Sequence, residues 1–132
     1  MRLIKFSYVL CLSLLVGCTS AEDLYNLSFE SPVPKSVKFS HSQEQYFSDC
    51  CNWLHFEMDS SELNKLLQNG FLRQEVDFSE WQSMVPPEAK DWWHPEQLGD
   101  SILYFEKETE NTRDILFTTP SKHEVYHVHY YK

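Results

Sequence analysis

The chain has 132 residues, with 20 acidic against 11 basic side chains and a formal net charge of −9. That balance argues against nucleic acid as a partner, because phosphate contacts need clustered Lys and Arg. Hydrophobic residues make up 42% and aromatic residues 15%, enough for one core built largely from rings, and the three glycines leave little scope for a phosphate-cradling loop.

Arg2 and Lys5 give a positive start, Phe6 to Val16 is apolar apart from Ser7 and Ser13, and Gly17 precedes Cys18. The run of about ten to twelve residues is too short to cross a bilayer, which takes about 20. It has the order of an export signal. Leu15-Val16-Gly17-Cys18 resembles the bacterial lipoprotein box. The resemblance implies that the Cys18 thiol is joined to diacylglycerol, that residues 1–17 are removed, and that Cys18 becomes the lipid-bearing first residue. Two or more acyl chains hold a protein on a membrane where one holds it marginally. Thr19 after the cysteine is similar to lipoproteins sent to the outer membrane, so the expected home is its periplasmic face rather than the inner membrane. Cleavage by the ordinary signal peptidase near Thr19-Ser20-Ala21 is the other reading of this segment. Losing Arg2 and Lys5 with the signal takes the net charge to −11, so a basic protein or a cation is a more natural partner than an anionic surface.

Residues 18–35 carry scattered apolar side chains without a period and read as a lipidated tether, although Leu24, Tyr25, Leu27 and Phe29 are more apolar than a pure linker needs and docking on the domain is the open alternative. Some 17 residues reach about 55–60 Å when extended at about 3.3 Å each. Residues 36–132 then form a single domain. Val37 and Phe39 alternate with polar neighbours as in a half-buried strand. In Asn52 to Met58, Leu54, Phe56 and Met58 alternate with Trp53, His55 and Glu57, and the aliphatic set is expected on the core face. Asp59 with Glu62 has capping-box spacing, Leu63, Leu66 and Leu67 form a stripe, and Asn69-Gly70 supplies a stop, which predicts a helix over 60–69. From 71 to 99 only short helical turns are expected, around 79–82 and from Pro87, with His94-Pro95 and Gly99 as terminators. Ser101 to Lys107, Asp114 to Thr119 and Glu124 to Tyr131 read as a strand meander with short joints. The sum is an α+β domain: an antiparallel sheet of about 4–5 strands, with one main helix and short helical turns packed on one face.

Three groups of residues invite a functional reading. Trp81, Trp92 and Trp93 lie on the long connection, where such rings either cap a sheet face or line a partner-binding surface. His127 and His129 are alternate residues of a strand, so they share a face and could offer two imidazoles to zinc or copper. His55 would join them if its strand were adjacent and it faced the same way. The competing view makes Tyr126, Val128 and Tyr130 the core and the histidines ordinary outward residues. Cys50-Cys51 could be thiols, a strained vicinal disulfide or an intermolecular bridge. No Gly-x-Ser-x-Gly or Cys-x-x-Cys occurs, so catalysis is not expected and no cofactor is implied. The order Phe56-x-Met58-Asp59-x-x-x-Leu63-x-x-Leu66-Leu67-x-x-Gly70-Phe71, with Trp92-Trp93-x-Pro95 and a tyrosine-rich last strand, resembles small bacterial envelope lipoproteins, a likeness that brings no catalytic residues. The resulting expectation is a membrane-anchored, non-enzymatic protein that binds another protein as an accessory subunit or an immunity-type inhibitor. The alternative is a metal- or small-ligand-binding module.

Overall fold

The computed structural model describes residues 19–45, 51–75 and 78–132, without the side chains of residues 80 and 81. It is an α+β domain around an antiparallel sheet of six strands, β1 (Lys38–Gln45), β2 (Cys51–Glu57), β3 (Leu72–Gln74), β4 (Leu103–Glu108), β5 (Thr112–Thr118) and β6 (Glu124–Tyr131), in the order β1-β2-β6-β5-β4-β3. The expected count of 4–5 strands is one short. β3 has three residues, all exposed, and pairs with β4 through Leu72 opposite Glu106, too brief and too polar to show an alternation. The meander of β4, β5 and β6 follows the expected joints, and β2 lies between β1 and β6.

β2 sets the architecture because both of its faces are apolar. Trp53, Leu54 and Phe56 are all fully buried, so each side of the sheet needs a cover. The expectation of helices on one face is corrected accordingly: the sheet is packed on both sides. Leu54, Phe56, Leu116 and Val125 lie under α1 (Ala21–Phe29) and α2 (Ser60–Leu67), together with Met58, Leu63 and Leu67. Trp53, Ile115, Phe117, Tyr126 and Val128 lie under the connection from Phe78 to Leu98, which contributes Ala89 and Trp93 to that core and contains α3 (Ser79–Gln82) and two single-turn 3₁₀ helices.

α1 corrects the tether. Ala21, Leu24, Tyr25, Ser28 and Phe29 recur at i, i+3, i+4, i+7 and i+8, a helical stripe. Leu24 and Tyr25 are 1% exposed, with Tyr25 edge-on to Phe39 and Phe56. Ser20 is the N-cap, its Oγ accepting from the Asp23 N–H at 3.2 Å, and Glu22 and Asp23 in the first turn suit the helix dipole. Glu30 ends the helix in the left-handed region at φ 52°, donating its N–H to the Asn26 carbonyl. The stretch expected to hold the domain away from the membrane is therefore part of the domain.

α2 runs where the leucine stripe places it, and Gly70 takes the positive φ (87°) that the stop requires. The capping box does not form. Asp59 makes no side-chain cap bond, and its N–H donates instead to Ser36 Oγ at 3.1 Å.

Leu24→Ala leaves a cavity between α1 and the sheet and is expected to lower the unfolding free energy by about 2–5 kcal/mol. Urea denaturation reads this directly; a change of a few tenths would return residues 21–29 to the status of a tether.

Candidate functional site

The last strand divides its side chains cleanly. Val125, His127 and His129 point to the helix-covered face, while Tyr126, Val128 and Tyr130 point to the other. The register sets Leu54 opposite His127 and His55 opposite Tyr126. β2 and β6 are neighbours, but His55 lies on the opposite face from His127 and His129. The three imidazoles expected to converge on one metal ion cannot do so, and among the described residues no group of three His, Cys, Asp or Glu is placed to hold one.

His127 and His129 are not outward residues either, at 0% and 4% exposure. Both use a ring nitrogen on a single carboxylate oxygen: Asp114 Oδ1 accepts from His127 Nε2 at 2.8 Å and from His129 Nδ1 at 2.6 Å. Asp114 is itself 3% exposed and sits on β5 directly across from His129. Burial pushes its carboxyl up, and the two imidazole donors and their charges more than offset this, leaving its pKa at about 2. Burial lowers the pKa of His127, against the pull of Asp114. A neutral His127 that donates from Nε2 carries a lone pair on Nδ1, and that atom is buried with no hydrogen-bond partner, as is Ser28 Oγ on α1. Phe29 covers the His127 ring at 4.3 Å. Ser28, Asn69, Lys107 and Asp114 line a cavity of about 20 Å³ beside it, the size of one water. Asp114 was not among the expected site residues. An acid inside Asp114-Ile115-Leu116-Phe117 was the available signal, since a carboxylate in an apolar strand needs a partner.

The other face carries a row of near-parallel rings. Trp92 lies 5.0 Å from His41 at 7°, His41 is 5.4 Å from His55 at 5°, and His55 stacks on Tyr126 at 4.0 Å and 9°. Glu124 Oε1 accepts from His55 Nε2 at 2.8 Å, which leaves His55 Nδ1 to accept from His41 Nδ1 at 3.1 Å. Glu124, His55 and His41 thus form a hydrogen-bonded line ending at the exposed edge strand β1. Desolvation lowers the His41 pKa, and a charge on His55 lowers it further.

Of the three tryptophans expected on a partner surface, Trp93 is 4% exposed and wedged against Trp53, Phe117 and Tyr126. It is a core residue, held there because the open face of β2 and β6 needs a large ring. Trp92 is half-buried on His41, and the Trp81 side chain lies outside the described residues, as do Cys18 and Cys50. Cys51 is buried in β2 opposite Tyr130. What the connection does present is a cleft of about 330 Å³ lined by Gln82, Val85, Lys90, Trp93, His94 and Glu96, with His94 Nδ1 2.9 Å from Glu96 Oε1.

Acidification should cost stability in two steps. A His127 pKa held below 6.5 means that the unfolded chain takes up the proton first, so stability falls as pH drops below 6.5. Asp114, at about 2 in the fold against 3.8 unfolded, contributes stability that is full above about pH 4 and lost on going down to about pH 2. Urea midpoints measured down the pH scale should show both losses, and His127→Gln should flatten the first. In a separate test, His55→Gln removes the neighbouring imidazolium and should raise the His41 pKa part of the way back to its ordinary value, read by proton NMR titration; an unmoved value would show that the pair is not coupled.

No protein-family model matches the chain, and neither a curated protein nor a solved structure matches it.

Proposed function

We propose that the chain is a lipid-anchored protein of the bacterial envelope that works by binding another protein and not by turning over a substrate. The anchor rests on Leu15-Val16-Gly17-Cys18, and Thr19 favours the periplasmic face of the outer membrane. The observation that carries the binding role is the contrast between the two sides of the sheet. On one, the acid–base groups Asp114, His127 and His129 are spent on each other under α1. On the other, the irregular connection leaves an accessible cleft beside Trp92 and Trp93.

On the connection that carries the cleft, and just after it, the exposed side chains Glu88, Asp91, Glu96 and Asp100 outnumber Lys90. A fixed acidic field of this kind steers a basic partner and speeds its association. An accessory subunit of an envelope complex and an immunity-type inhibitor of a basic toxin both fit this chemistry.

Affinity capture of the tagged protein from mildly solubilised envelopes, with and without a chelator, followed by mass spectrometry, tests the reading. A stoichiometric protein is expected to survive the chelator and to be lost, by about tenfold or more, from the charge-reversed Glu88→Lys, Asp91→Lys double variant. Retention of the same protein by the double variant would move the interface elsewhere. Recovery of an equimolar metal in place of a protein would overturn the proposal.

A further inference from the structure

We infer that the β1 edge of the sheet lies against the phospholipid headgroup surface, with the β3 edge directed away from it. The inference rests on the lipid anchor at Cys18 proposed above, and adds to it which side of the domain meets the membrane.

The direction of α1 carries the argument. Tyr25 packs on Phe39 of β1 and Phe56 of β2, at 6.2 and 5.8 Å. One turn later Phe29 packs on Phe56 and on His127 of β6, at 6.4 and 4.3 Å. Ser28 shares its small cavity with Asp114 of β5. The helix therefore crosses the strands from β1 towards β5, and its N-terminal end is on the β1 side. Ser20 fixes that end as the cap. Cys18 precedes Thr19, and consecutive Cα atoms are about 3.8 Å apart, so the acylated residue is within about 8 Å of the cap. Acyl chains must reach the hydrocarbon, and the headgroup layer on each side of it is only about 5–8 Å deep. No length of chain is left to lift the domain.

One further observation agrees with this orientation. β1 has eight residues and, among the described residues, no neighbouring strand on its outer side. An edge of that length invites pairing with other chains unless something covers it, and a headgroup surface does so while still satisfying polar groups. With strands about 4.8 Å apart, the five spacings from β1 to β3 put the far edge about 24 Å along the sheet.

The full-length acylated protein is reconstituted into phosphatidylcholine vesicles doped with a headgroup-labelled acceptor lipid. A donor fluorophore is attached through an azido side chain encoded at Ser40 on β1 or at Gln74 on β3, both exposed, and intact mass reports the acyl chains. Energy transfer to the acceptor plane is expected to be about twofold or more stronger from position 40, and inserting about ten Gly and Ser residues between Thr19 and Ser20 should bring the ratio towards one. Equal or reversed transfer in a protein that carries its acyl mass would overturn the orientation and leave the anchor standing. A chain without acyl mass, untransferred at both positions, would overturn the anchor and the orientation together.

Discussion

A strand that is apolar on both faces cannot be satisfied by a single layer of helices, and this constraint governs the domain. β2 buries Trp53 on one side and Leu54 and Phe56 on the other. Desolvating both sides requires two covers, and a domain of this length has few elements to spend on them. Two short amphipathic helices cover the aliphatic side. The aromatic side is covered by a connection with almost no regular structure, and this explains its content of rings. Trp93 meets Trp53, Phe117 and Tyr126 at angles of 75–89°, edge-to-face arrangements that fix a loop where no helix does so.

Within the aliphatic side sits one polar knot. Asp114, His127 and His129 would each be costly to bury alone. Joined through one carboxylate oxygen they satisfy three groups at once, and the remaining imbalance falls on His127 Nδ1 and Ser28 Oγ. Removing one member of such a cluster strands the others.

The parts of the fold that could be read in the chain are those where pattern and environment agree. The stripe of Leu63, Leu66 and Leu67 with Gly70 gave α2, and the β-branched and aromatic runs gave β2, β4, β5 and β6. α1 escaped because its inward stripe includes the polar Ser28 and the small Ala21, while Leu27, which is strongly apolar, is 55% exposed. β1 is mostly polar beyond Phe39, as an edge strand can be, and only its start was visible. For the histidines, alternation along β6 correctly put His127 and His129 on one face, but the face of His55 depends on register between strands far apart in sequence. A shift of one residue would have reversed it. Asp114, His41 and Glu124 belong to clusters assembled by tertiary pairing, which no local spacing encodes.

The contact of Phe29 with His127 joins the first element of the domain to its last strand. Tyr25 seats α1 on β1 and β2, and Phe29 completes that seat only once β6 has paired with both β2 and β5. In chain order α1 comes first and the strand that completes its seat comes last. Until β6 has paired, Phe29 lacks the ring it packs on. Full seating of α1 is thus a report that the whole domain has arrived, and a chain cut short before β6 would leave part of the apolar face of α1 uncovered.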